Sequence, residues 1–384
     1  MVASLAMSVV ALDLGTSNAV AAVLDGGRPT VVPLLGGALG IPSVVAIDER
    51  GRWLVGRDAK AQLLSKPDQT IVAMKTFLGR DADSAAFRVE ADELGYGLGP
   101  GPNGPMATIC GEEISLIEAS GLLLRELRGQ AQDSLGKVLD GAVLPVPAYF
   151  TDEQRQAFAD AAYLAGLEKV SVVDETKALS SLLSARRSTP SREEEKTVFL
   201  YGLGGGVFDA ALLEREERGG LEIVATSGED LGGSRLDRRI AKHLKTAFWQ
   251  RYGEEAAITD IGRQRLLEAA EAAKIHLDDE DEAFVSLPCL SNGSDGGPLD
   301  LESSLAREDL IRLTGDLILQ TVEISRSVLR AAGLDASEID GVYLYGRAAK
   351  SREVQAAIAR TFGKPAVRLP DDATALGAAV MAGA

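Results

Sequence analysis

One pattern occurs twice in this chain and limits the available folds more than any other feature. Residues 9–24 read VVALDLGTSNAVAAVL, and residues 198–213 read VFLYGLGGGVFDAALL. Each is an apolar strand, a Leu-Gly step, a turn of small residues and a second apolar strand. Asp13-Leu14-Gly15-Thr16-Ser17-Asn18 lies over Gly202-Leu203-Gly204-Gly205-Gly206-Val207. A chain built this way has two related halves, each opening with a hairpin whose turn allows close backbone approach. Such turns line up amides as an anion-binding nest. A lone glycine hairpin is satisfied by a tight turn; two matching ones point to duplicated halves closing on one ligand. The second turn has no hydroxyl and no carboxylate before Asp209, so it has lost the groups that would handle a metal.

Composition removes several alternatives. With 384 residues, 46% apolar and 25% charged, the chain has the make-up of an ordinary globular protein of two or three cores. Its formal net charge of -17 opposes nucleic acid and anionic membrane surfaces. The opening MVASLAMS has no basic start and runs into the first strand, so it reads as a short leader and not a signal peptide. No apolar run is long enough to span a bilayer. Cys110 and Cys289 stand far apart and are expected to be buried thiols. His243 and His276 lack companions at ligand spacing and read as helix or surface residues. The default compartment is the cytosol.

The remaining segments fit two α/β halves. TDEQRQAFADAAYLAGLEKV (151–170) predicts a helix with Thr151 and Gln154 as a capping box and Gly166 as terminator. KVSVVDE (169–175) predicts a buried strand delivering Asp174 and Glu175. RQRLLEAAEAAKIHLDDEDE (263–282) predicts a helix with Leu266, Ala270, Ala273 and Leu277 along one side, and Glu271, Lys274 and Asp278 along another. Residues 339–362 predict strand, glycine turn and helix. YGLGPGPNGPM (96–106) reads as a loop, and STPSREEEK (188–196) as the connection between halves. The acidic runs 193–195 and 278–282 read as solvated ends.

Several stretches, in this order, carry a resemblance: ALDLGTSNAVAAVL, IPSVVAI, MKTFLGR, LPVPAYFTDEQRQAFADAAYLAGLE, LGGGVFD, LGGSRLDRRIAKHL, LLEAAEAAKIHL and LPDDATALGAAVMAG. The chain resembles, over essentially its whole length, the nucleotide-binding domain of the seventy-kilodalton heat-shock chaperones, within the actin and hexokinase superfamily. The resemblance implies an α/β actin-like ATPase fold of two duplicated lobes around a nucleotide cleft. Lobe I would be 1–192 (inner 1–43 and 116–192, outer 44–115). Lobe II would be 193–384 (inner 193–231 and 307–384, outer 232–306). The chain stops at MAGA, where the family continues into a peptide-binding domain; no client-peptide site is expected in this chain.

The resemblance also assigns residues. Asp13, Gly15, Thr16, Ser17 and Asn18 match the first phosphate turn, with Asp13 facing magnesium through water. Gly204, Gly205 and Gly206 match the second turn. Lys75 matches the lysine supporting γ-phosphate transfer, and Glu175 the glutamate near the attacking water. Glu271, Lys274, Asp278, Gly346, Arg347, Lys350 and Asp371 fall at adenosine-binding positions; a Glu271–Lys274 ion pair is the plainer alternative for those two. ATP or ADP with magnesium is the implied cofactor. The departures are Gly202, where the family has the second metal-facing Asp; Val207, where it has Thr; Thr176 and Lys177, where it has Pro and Thr; Asp278, where it has Ser; and Arg347, where it has a second Gly. An arginine there would fill the purine space, stack on the base, or reach Asp278 or Glu271 as a plug.

Three functions follow. A nucleotide-dependent switch with very slow or absent hydrolysis would present a surface to a protein partner. A pseudo-ATPase scaffold would need no nucleotide. A working chaperone ATPase would need another group, with Asp209 nearest in sequence, in place of the missing Asp.

Overall fold

Both hairpins form, and each becomes the middle of a sheet. The structure, a computed structural model, describes residues 9–185, 195–217, 219–294 and 296–383. The leader at 1–8 and most of the 188–196 connection lie outside these.

In the first half the strand order is Lys169–Asp174, Gly141–Val146, Val9–Leu14, Asn18–Asp25, Arg28–Val31, with Ile41–Pro42 also pairing to Asn18–Asp25. In the second half it is Val367–Arg368, Gly341–Tyr345, Thr197–Leu203, Phe208–Arg215, Leu221–Glu229. The two orders match in direction as well: parallel, parallel, antiparallel, antiparallel. The helices repeat too. A long helix precedes the first crossover strand in each half (Leu116–Leu135; Arg307–Ala332), and a shorter one links the two crossover strands (Asp152–Leu164; Arg352–Phe362). A third follows each sheet (Glu175–Ala185; Ala373–Ala382). The chain is a duplicated α/β structure.

The halves join through that last helix pair. Ala178, Leu179 and Leu182 of one helix and Ala375, Leu376 and Ala379 of the other share a core with Ala11, Ala22, Leu200, Ala211, Tyr343 and Tyr345 from both sheets. Gly377 makes the crossing possible: a Cβ there would lie 2.5 Å from the Ala178 carbonyl carbon and closer still to its oxygen. Gly377→Val should therefore lower unfolding free energy by about 1–3 kcal/mol or more, readable by urea denaturation.

Smaller pieces stand outside the two sheets. In the first half they are the sheets of Trp53–Val55, Val45–Ile47 and Thr70–Ile71, and of Glu112–Ser115, Gly104–Ile109 and Gly97–Gly101. In the second they are helices Gly233–Tyr252 and Asp260–His276 over the hairpin Glu282–Asn292 and Pro298–Ala306, with their own apolar core.

The capping box at Thr151 and Gln154 forms, and Gly166 follows the helix end with φ 84°. The stripe Leu266, Ala270, Ala273 and Leu277 is buried. Other expectations are corrected. The 96–106 stretch is not a loop but includes the Gly97–Gly101 strand and the start of Gly104–Ile109, because Pro105, Ala107 and Ile109 alternate inward. The helix expected to 282 ends at His276. The strand Lys169–Asp174 lies at a sheet edge and is half-buried. Cys110 and Cys289 are exposed with positive φ (53° and 49°), Cys110 in a turn and Cys289 at the irregularity in the strand Glu282–Asn292. The 278–282 run is solvated as expected, residues 279–282 being exposed, although Asp281 also pairs with Arg307 at 3.0 Å.

Candidate nucleotide site

The two glycine turns face each other across the gap between halves. Their backbone bonds are the same: Gly15 N–H donates to the Asn18 carbonyl (3.1 Å), and Gly204 N–H to the Val207 carbonyl (3.0 Å). Ser43 pins the first turn, its hydroxyl donating to the Gly15 carbonyl at 2.7 Å. The start of helix Gly233–Tyr252 pins the second: Gly233 and Ser234 N–H donate to the Gly204 and Gly205 carbonyls at 2.9 and 2.8 Å. A Cβ on Gly205 would sit 2.7 Å from Ser17 Oγ. One on Gly206 would sit 2.8 Å from Thr16 Oγ1 and 2.6 Å from Thr76 Oγ1. Hydroxyls of the first half thus stand against bare backbone of the second, the donor set an oxyanion takes.

Beneath the turns lies a buried charge cluster. Lys75, on the short helix Met74–Phe77, donates to Glu175 at 2.7 Å and lies 3.8 Å from Asp13. Burial opposes the lysine's charge, but Glu175 and then Asp13 outweigh it and hold its pKa above the ordinary value. Burial pushes Asp13 up to about 6 against the pull of Lys75, with Glu175 adding. Asp209 is 1% exposed; burial first, then Glu175, drives its carboxyl well up, while Lys75 opposes. The Ala148 backbone N–H also lowers it, and no side chain hydrogen-bonds to it.

Gly202 lies between two residues of this cluster. In strand register it is opposite Asp209 on one side and Tyr345 on the other. With no side chain on Gly202, the Tyr345 ring lies across it. A Cβ there would be 2.5 Å from both ring Cε atoms and closer still to Cζ. The volume an acidic side chain would need is filled by a phenol. The Tyr345 hydroxyl is buried and without a hydrogen-bond partner, and burial, then Asp209 and Glu175, raises its pKa well above the usual phenol value.

The phosphate fit is therefore good and the metal fit is not. Glycine amides and hydroxyls are present for an anion. The cation side offers Asp13 and Glu175, both engaged by Lys75, and the fully buried Asp209, with a neutral phenol where a further carboxylate would be. Among the described residues no group of three or more acidic, His or Cys side chains is arranged to hold a metal ion.

The adenosine positions gather further out. Gly346 (φ 81°) packs on the end of the second-half hairpin; a Cβ would lie 2.5 Å from the Leu203 carbonyl oxygen. Lys274 pairs with Asp237 at 2.6 Å and not with Glu271, which is exposed. Burial lifts Asp237 to about 6, with Lys274 opposing. Asp278 is half-buried; its Oδ1 has no hydrogen-bond partner, and burial, then Glu353, raises its pKa. Lys350 meets Asp371 at 2.5 Å. Arg347 does not plug the cleft: its side chain is 69% exposed and its nearest carboxylate is Asp371 at 3.9 Å, neither Asp278 nor Glu271. Lys177 is likewise exposed on its helix and brings no charge into the cluster, whereas Thr176 is fully buried. Val207 is buried and offers no hydroxyl.

The structure adds residues that the sequence motifs did not single out. Tyr149 donates to Asp230 at 2.8 Å, and Arg80 reaches Asp230 at 3.4 Å and Glu90 at 3.0 Å. Arg235 to Glu90 (3.7 Å) and Arg238 to Glu93 (3.1 Å) complete a clasp between halves. Tyr345, Asp237 and Thr76 join the site itself.

A duplicated, two-lobed α/β fold with paired glycine turns between its lobes defines the actin-like ATPase class. The chain belongs to the Hsp70 family: the family model described as Hsp70 protein matches residues 9–384. Nucleotide-binding domains of this family bind ATP or ADP with magnesium. No helix among the described residues is long and apolar enough to cross a membrane.

Proposed function

We propose that this chain is a nucleotide-dependent switch: it takes ATP or ADP between its halves, hydrolyses ATP very slowly or not at all, and presents its closed form to a protein partner. The observation carrying this reading is the replacement at Gly202, where a neutral phenol fills the place of a charged catalytic group while both phosphate turns keep their geometry. Removing one preorganised charged group typically costs about 100- to 1000-fold in rate. The missing hydroxyl at Val207 adds to that loss. The acceptor at Asp278 Oδ1 supports an adenine, whose amino group would satisfy it. The pairs Arg80–Asp230, Arg235–Glu90 and Arg238–Glu93 support the switch, since they join the two halves and must lengthen when the halves part.

A nucleotide-independent scaffold loses its main support once Arg347 points to solvent. Calorimetric titration with ADP and with ATP is the test. Saturable heat, with a competing signal from adenosine nucleotides over guanosine ones, is the expected result. Absence of heat and of any thermal shift would remove the reading.

A further inference from the structure

We propose that Tyr345 and Gly202 act as one unit that frees nucleotide binding in this cleft from magnesium. This rests on the preceding reading that nucleotide enters between the two glycine turns.

The argument begins with register. Gly202 pairs with Tyr345 on a parallel neighbour and with Asp209 on an antiparallel one, so the three residues stand side by side. Side chains in register on adjacent strands point to the same face. A residue with a Cβ at 202 would exclude the ring, and the ring excludes any such residue. The ring therefore forbids a side chain at 202, and a side chain at 202 requires the ring to go.

The consequence is electrostatic. A carboxylate at 202 would join Asp13, Glu175 and Asp209 around Lys75, and such a site needs a divalent cation before it accepts a polyphosphate. A phenol is uncharged at neutral pH. It removes one negative charge from the wall facing the phosphates and leaves Lys75 and the turn amides as the positive side. The Tyr345 hydroxyl is buried beside Asp209 and Glu175 with no protein partner, so it offers no ligand to a cation in the cleft. The missing charge shifts binding toward the metal-free nucleotide.

The test is titration of the full chain with ADP in magnesium chloride and in excess EDTA, alongside thermal melting. The wild type should show affinities within about threefold of each other. The double variant G202D/Y345V should bind more than about tenfold tighter with magnesium than without. Melting should show G202D alone strongly destabilised and largely rescued by adding Y345V. A wild-type magnesium dependence above about tenfold would overturn the inference while leaving nucleotide binding intact. No binding in either buffer would sink the underlying reading instead. A double variant that binds ADP equally in both buffers, or a G202D protein as stable as wild type, would also overturn the coupling. The wild-type arm needs no substitution, so a variant that fails to fold cannot leave the inference undecided.

Discussion

Lys75→Met is expected to lower unfolding free energy at neutral pH by about 3–5 kcal/mol, the range for breaking a buried ion pair by removing one partner. Lys75 is 3% exposed and is the only cation within salt-bridge distance of Asp13 and Glu175 among the described residues. Methionine fills similar volume, so the loss is of charge and not of packing. The deficit should shrink as pH falls toward 5, because protonated carboxylates no longer need a partner. The sign follows from Asp13. Its folded pKa, about 6, stands above the ordinary 3.8, so the folded form holds more protons in that window. Stability from this group is present at low pH and is lost as pH rises through 4 to 6. In the wild type, Asp13→Asn should flatten that part of the profile. Urea melts at several pH values check both expectations. A neutral-pH loss below about 1 kcal/mol would mean the cluster is solvated.

Gly232→Val is expected to weaken nucleotide binding by at least about 100-fold, some 2.7 kcal/mol. Gly232 precedes the helix Gly233–Tyr252, and a Cβ there would stand 2.6 Å from the Gly205 carbonyl carbon and oxygen and the Gly206 carbonyl carbon. These are backbone atoms and cannot rotate away. The second turn must shift toward the Thr16 and Ser17 hydroxyls, which already stand against it. Equilibrium titration reads the loss, and circular dichroism checks that the chain still folds. Unchanged affinity would place the phosphates elsewhere.

The hairpins and the 151–164 helix were legible in the sequence, because local apolar spacing and capping specify them; Asp13, Lys75 and Glu175 came from the resemblance, and the bridge Lys75 makes between the two carboxylates came from the structure. Tyr345 was not legible: its role depends on which strand lies beside Gly202, and register across distant segments leaves no local trace. A glycine inside an apolar strand is the one signal available, since such a position marks close approach by a neighbour. Lys274 and Glu271 fall at adenosine-binding positions by resemblance, with an ion pair between them as the plainer alternative; that pair does not form, since Lys274 turns to Asp237 on another helix. Of the places open to Arg347, in the purine space, stacked on the base, or paired with Asp278 or Glu271, the structure removes the pairing: its side chain is exposed, with Asp371 at 3.9 Å. The stretch 96–106 reads as a loop from its Gly and Pro content, although the inward alternation of Pro105, Ala107 and Ile109 specifies a hairpin.

The central claim, that this cleft holds ATP but barely cleaves it, is tested most directly by a single-turnover assay with excess protein over γ-labelled ATP. We expect the label to remain bound and uncleaved far longer than nucleotide exchange takes, in magnesium or without it. Rapid release of labelled phosphate that Asp13→Asn abolishes would contradict the claim.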